Sequence, residues 1–335
     1  MSIVRAGGDA GPHDQEDLMT TTSPSRHPYR PPAPLGGRRP ALRRADNRRA
    51  ATALLFVGPA LLVLVAFVAV PAVQALITSF TDASGFGDPA WVGIDNYSEA
   101  LTSPRVLRAL LNTMLYAVMY APGVIVVGLA AALLLNRDDI PWRGFFRTAI
   151  FLPFVISMAV ASIAWSFLLD PDLGLVTYWL SLVGIDIGNL FGDAATALPA
   201  VTAVAVWKNF GYFMVIFLAG LQGVPRHLYE AARLDGAGRW RTFFAVTLPG
   251  LGSTMTFVVI LALIGAFQAF DQIYIMTQGG PDHATETLVY RIYTDGFRDF
   301  KLGFASALSY VLLAITLVLG LIQLRINARH EEELE

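Results

Sequence analysis

Six apolar stretches, Ala53–Ile77, Ala109–Leu135, Thr148–Leu169, Ala197–Leu221, Ser253–Met276 and Ala305–Gln323, limit what this chain can fold into. A helix needs about 20 apolar residues to cross a hydrocarbon layer, and each stretch comes close to or exceeds that. Inside hydrocarbon every backbone N–H and C=O must be satisfied by the protein itself, which an α-helix does within one segment. The sequence therefore predicts an all-α membrane protein built as a six-span helical bundle. Pro59, Pro71, Pro122 and Pro153 fall in or beside these stretches. A packed bundle re-satisfies the groups that prolines free.

Composition agrees. Charged residues make up 15% of the 335, against roughly 25% in soluble domains. The absence of cysteine excludes disulfides, thiolate metal sites and iron–sulfur clusters. The two lysines, Lys208 and Lys301, do not sit in a phosphate-cradling G-x-x-x-x-G-K-[ST] loop. Any ATP hydrolysis, with its Mg, must come from a partner, and the chain calls for no cofactor of its own. Nothing in it points to nucleic acid. A membrane-embedded protease or transferase is a poor fit: there is no H-E-x-x-H or G-x-S-x-G, and His13, His27, His227, His283 and His330 lie outside the apolar stretches.

Residues 1–50 are rich in Pro, Gly, Ser and Arg without apolar periodicity, and are expected to be disordered. Arg38, Arg39, Arg43, Arg44, Arg48 and Arg49 end just before the first stretch, where they read as a topology anchor rather than a specific lipid site. A signal peptide has an apolar core of about 7–15 residues, so this longer stretch reads as an uncleaved span. With the N-terminus inside, the cytoplasmic segments hold 18 basic residues and the outer loops hold five. The excess of Lys and Arg on one side places both termini, including the tail 326–335, in the cytoplasm. The outer loops are acidic, with Glu286 and Asp295 among their carboxylates. Ordinary solvation is the plainer reading of that charge; a face that docks an extracytoplasmic partner is the other.

A charge at mid-span costs about 2.5–3.5 kcal/mol on insertion scales, so Lys208 and Asp271 are functional candidates. On a helix Lys208 shares a face with Tyr212, with Asn209 beside them, while Gln268, Asp271 and Gln272 form a polar stripe next to Phe267. Two facing stripes of hydroxyl, amide, charge and aromatic ring suit a sugar. Lys208, Asn209, Tyr212, Phe267, Gln268 and Asp271 are the candidate solute contacts. Lys208 and Asp271 could equally be a structural ion pair.

The cytoplasmic loop 222–252 looks helical. Pro225 suits a first helical turn, and Gly236 suits the position just past a helix end, where positive φ is needed. A second short helix is expected over Arg239–Val246, stopped by Pro249. Small residues flanked by charge suit docking into another protein's groove, but Arg233, Arg239, Trp240 and Arg241 equally permit a helix lying on lipid headgroups.

Glu230-Ala231-Ala232, then Gly236, then Val246-Thr247-Leu248-Pro249, resembles the EAA loop of permeases in binding-protein-dependent ABC importers. The family pattern is E-A-A, three residues, G, nine residues, I-x-L-P, and every anchor is in register apart from Val246 for Ile. Leu218-Ala-Gly-Leu-Gln222, Thr277-Gln-Gly-Gly-Pro281 and Trp91-Val-Gly-Ile-Asp-Asn-Tyr97 are similar to the maltose and glycerol-3-phosphate type of sugar permease. The likeness covers roughly residues 50–325.

That resemblance implies a non-catalytic permease subunit in the bacterial cytoplasmic membrane, importing a sugar by alternating access. Its implied partners are a second homologous permease in a heterodimer, two cytosolic ABC ATPases that bind ATP and Mg, an extracytoplasmic solute-binding protein and membrane lipid. It also implies a coupling helix in the ATPase groove, with Glu230, Ala231, Ala232, Asp235, Gly236, Leu248 and Pro249 as coupling residues. A secondary transporter fits less well, because the one long cytoplasmic loop is asymmetric and intramembrane carboxylates are few.

Overall fold

The computed structural model describes residues 55–137 and 139–332. The basic N-terminal fifty residues, and residues 333–335 of the expected tail, lie outside them. The chain divides after Leu62; the described residues before that point are helical, and the bundle discussed below is formed by those after it. Among the described residues, five helices are long and apolar enough to cross a membrane: Leu55–Thr78, Pro104–Leu135, Ala197–Gly223, Gly252–Met276 and Leu302–Gln323. They are spans 1, 2, 4, 5 and 6. A pair of helices, Arg143–Val155 and Met158–Leu168, passes the same test only when taken together and is bent by 96° at its junction; it is span 3 below.

The bend corrects the expectation of one continuous helix over Thr148–Leu169. Pro153 lies near the end of the first arm, and Ile156 leaves helical geometry with ψ 141°. Ser157 then starts a new helix, its side chain accepting a hydrogen bond from the Val160 N–H at 3.3 Å. Span 5 is interrupted as well: its helix ends at Phe267 and resumes at Asp271. Pro122, by contrast, sits inside span 2 without ending it. Span 6 continues as helix to Glu332, well past the expected end.

Spans 2 and 4 form the centre, with span 5 packed on both and span 6 against span 5. Tyr116, Ala117, Tyr120, Ala121, Val124, Gly128 and Ala132 recur at three- and four-residue intervals and are buried along one face of span 2. That is the stripe by which a helix packs on a neighbour. Small residues allow the close approach typical of membrane helices. A Cβ on Gly128 would stand 3.2 Å from the Met214 nitrogen, so a larger residue there would push span 4 away. The opposite face of span 2 carries Val118 and Val126, both exposed, as a lipid-facing surface requires.

The segments between spans are ordered by their own polar groups. After span 1, Asn96 donates to the carbonyls of Ser79 and Thr81, each at 2.8 Å. Phe80 stacks on Trp91 at 5.5 Å between ring centroids. The segment after span 5 turns through Gln278 and Gly279, both at positive φ, and is closed by Thr277 Oγ1 and Thr285 Oγ1 at 2.7 Å. Three short helices not expected from the apolar pattern, Asp95–Thr102, Leu175–Leu182 and Leu288–Tyr293, lie in these connections.

Two acidic residues expected to be solvated are buried. Glu286 is 1% exposed and Asp295 is 0% exposed. Glu286 meets Arg105 at 3.2 Å, His283 at 2.8 Å and Arg291 at 3.5 Å. Arg291 also pairs with Asp295 at 2.7 Å, one helical turn on. Asn112 adds hydrogen bonds to the carbonyls of His283 and Glu286 at 2.8 and 3.1 Å. Burial pushes the Asp295 carboxyl above its ordinary value, against the pull of the Arg291 guanidinium. A carboxylate taken out of water needs such partners to stay charged.

Candidate functional site

An open cavity of about 320 Å³ lies where spans 2, 3, 4 and 5 meet. Tyr116 and Tyr120 line it from span 2, Met158 from span 3, Lys208 and Asn209 from span 4, and Gly265 with Gln268–Gln272 from span 5. The interruption of span 5 faces this space. Unwound backbone at membrane depth is tolerated where it lines a cavity or is buried in protein.

Four of the candidate solute contacts, Lys208, Asn209, Gln268 and Asp271, are brought together here. Tyr212 and Phe267 are not. The Tyr212 ring stacks on Phe154 at 4.6 Å and 12°, and Phe267 is 2% exposed in the core. The expected stripe on span 5 assumed an unbroken helix. With the break at Gln268–Phe270, Gln272 turns into the protein and donates to the Tyr116 hydroxyl at 2.8 Å, while Gln268 and Asp271 remain exposed.

The Lys208–Asp271 ion pair does not form. Lys208 Nζ instead donates to the Phe154 carbonyl at 3.2 Å and lies 3.5 Å from Asn209 Oδ1. Asn209 in turn donates to the Ala205 carbonyl at 3.0 Å. The site thus holds one cation already engaged by neutral acceptors and one carboxylate open to the cavity.

Tyr116, Tyr120 and Met158 were missed by sequence reasoning, and Gln272 was placed on the polar stripe but not among the candidate contacts. The two tyrosines are stacked at 5.6 Å with an interplanar angle of 11°. Their i, i+4 spacing in an apolar span was a legible signal, since two polar-tipped rings on one face are costly in lipid. Gln272 and Met158 could not be placed without the two breaks.

The loop between spans 4 and 5 folds as helix Arg226–Leu234, followed by Gly236 at φ +68°. The Ala237 N–H reaches back to the Ala232 carbonyl at 2.9 Å and the Gly236 N–H to Arg233 at 3.1 Å, a Schellman-type end. Glu230, Ala231, Asp235 and Gly236 are exposed, Ala232 is half-buried, and Leu234 is 88% exposed. The second part departs from expectation. Helix Arg239–Thr242 passes through a π turn, Phe243–Thr247, into Leu248–Gly250. The Leu248 N–H bonds five residues back to the Phe243 carbonyl, widening the turn just ahead of the Pro249 ring. Pro249 therefore does not stop the helix, and the break falls at Leu251.

Residues 97–332 match the family described as the binding-protein-dependent transport system inner membrane component. The diacetylchitobiose uptake system permease NgcF of Streptomyces coelicolor is 35% identical, over 93% of this chain and 92% of that protein. The sn-glycerol-3-phosphate transport system permease UgpA of Agrobacterium fabrum is 36% identical, over 81% of this chain and 92% of that one. Among solved structures, a bacterial alginate ABC transporter, in complex with an alginate pentasaccharide-bound periplasmic protein, contains a chain that superimposes with a TM-score of 0.74. That match is 21% identical and covers 85% of this chain and 96% of the other, a likeness of fold.

Proposed function

The chain belongs to the binding-protein-dependent transport system inner membrane component family, and we propose that it forms the membrane path for a neutral sugar in an ATP-driven importer. As a member it is a permease subunit, not an enzyme. The observation that carries the sugar reading is the polar cavity at mid-bundle. Asn209, Gln268 and Asp271 offer amide and carboxylate partners for hydroxyl groups, and two tyrosines stand at its wall.

The charge balance favours a neutral solute over an anion. Lys208 is the single cation lining the cavity, it already serves Phe154 and Asn209, and Asp271 opposes it. An anionic solute would want a surplus of donors and positive charge. This reading sides with a neutral saccharide, as the name of the Streptomyces relative has it, over the glycerol phosphate of the Agrobacterium relative.

Transport by alternating access needs partners, and the name of the family supplies one class, a binding protein. The solved neighbour is named as a complex with a periplasmic protein. The proposed assembly is this chain with a second homologous permease, two cytosolic ATPases carrying ATP and Mg, and an extracytoplasmic solute-binding protein. Both termini lie in the cytoplasm. The exposed helix Arg226–Leu234 enters the ATPase groove, with Glu230, Ala231, Ala232, Asp235 and Gly236 at the contact and Leu248 and Pro249 joining it to span 5. Because that helix leads through a helical run into span 5, a push on it reaches the cavity wall.

The test is uptake by the assembled transporter in lipid vesicles with ATP inside. Neutral disaccharides such as diacetylchitobiose should compete for uptake, and sn-glycerol 3-phosphate should not. Competition by the phosphate alone would overturn the neutral-sugar reading.

A further inference from the structure

The bend in span 3 creates a problem of backbone chemistry. The last four carbonyls of a helix lack intrahelical partners, and a carbonyl left unpaired in hydrocarbon is costly. The first arm ends at Val155, inside the membrane-spanning pair. Its last carbonyls must find a partner from elsewhere.

Lys208 of span 4 supplies one. Its ammonium donates to the Phe154 carbonyl at 3.2 Å and stands 5.0 Å from the centre of the Phe154 ring. A cation at a helix C-terminus also opposes the negative end of the helix dipole. The Phe154 ring rests on Tyr212, one turn further along span 4. Between these two contacts lies Gly211, where a Cβ would collide with the Ile150 carbonyl oxygen, so the arm packs backbone to backbone on span 4. Lys208, Gly211 and Tyr212 thus form one seat for the broken end.

Lys208 also lines the cavity, and Met158, just past the break, lines it too. We infer that Lys208 is a positioning residue that caps the broken end of span 3 and fixes the angle between its two arms. The bend and the cavity then share one side chain. A solute hydroxyl that draws the ammonium away from the Phe154 carbonyl loosens the first arm, which leads at its other end to the cytoplasmic segment before Arg143. The last step rests on the cavity being the solute site; the capping role does not.

The experiment therefore uses no solute. The chain has no cysteine, so cysteines introduced as Phe145→Cys and Phe167→Cys, one on each arm and both at exposed positions, take spin labels specifically. Pulsed-dipolar distances are measured on the full chain in lipid nanodiscs. The parent should give one narrow distribution. Lys208→Met should broaden it or move its mean by more than the parental width, and Lys208→Arg, which keeps the cation, should restore it. A parental distribution in Lys208→Met overturns the inference. If Lys208→Met does not yield monodisperse protein, Lys208→Leu serves in its place, an apolar side chain with no N–H to donate. A parental distribution there overturns the inference equally. Loss of sugar uptake with an unchanged distance would leave the transport reading standing and remove this one.

Discussion

Arg105, in the first turn of span 2, donates through Nε to the Oε2 of Glu286 at 3.2 Å, across 181 residues of sequence. The two members are unequal: the Arg105 side chain is 42% exposed and that of Glu286 is 1% exposed. Removing one partner of a buried ion pair leaves an uncompensated buried charge and costs about 3–5 kcal/mol, whereas an exposed pair contributes about 0–1 kcal/mol. Glu286→Ala, which leaves Arg291 short of a partner, should lower the unfolding temperature in detergent by many degrees. Arg105→Ala should lower it slightly. Equal effects would mean that Glu286 is not the hub of the cluster.

Asp295 yields a pH prediction. Burial is the largest influence on its carboxyl and raises its affinity for the proton in the folded state, with Arg291 opposing. Stability from such a group is full below the unfolded carboxylate value of about 3.9 and declines as pH rises through the raised folded value. Asp295→Asn removes that decline. Between about pH 4 and about pH 7, the unfolding temperature of the variant relative to the parent should therefore shift upward. A difference that is flat or falls with pH would contradict the sign.

Gly236 tests the proposed coupling role of the loop between spans 4 and 5. Its φ of +68° is disfavoured for residues with a Cβ, at a cost of about 1–2 kcal/mol, and least so for Asn. A Cβ there meets nothing within 4 Å, so the effect is one of backbone geometry rather than crowding. Gly236→Val should abolish solute-stimulated ATPase activity in the assembled transporter while membrane insertion is kept, and Gly236→Asn should retain most of it. Full activity in the Val variant would remove the loop from coupling.

Topology is open to a direct check. A reporter fused after Gly238 should read as cytoplasmic and one after Gly279 as external, following the 18-to-five division of basic residues. The reverse readout would put the helix Arg226–Leu234 on the wrong side for an ATPase.

The span count and the loop helix were legible because each depends on local signals: runs of apolar residues, and Gly236 placed where a helix must end. The breaks in spans 3 and 5 were not. Pro153 marked a weak point, yet Pro122 in span 2 carries the same local signal and the helix runs on. The difference lies in tertiary partners: the break after Val155 finds Ser157 and Lys208 to satisfy its ends. Once span 5 unwinds at Gln268, helical periodicity no longer says which side chains meet. Gln272 therefore went inward, Phe267 went to the core, and Lys208 turned to a carbonyl rather than to Asp271. The burial of Glu286 and Asp295 was not legible, because a loop carboxylate reads as solvated until its arginines, one of them in span 2, are folded against it.

If the cavity binds the solute through Asn209 and Gln268, the half-saturation concentration for sugar uptake by the assembled transporter depends on both side chains. Each lost hydrogen bond is worth about 0.5–1.5 kcal/mol, which predicts a rise of about two- to twelvefold for Asn209→Ala and again for Gln268→Ala. Half-saturation unchanged in both variants would place the solute path elsewhere in the bundle.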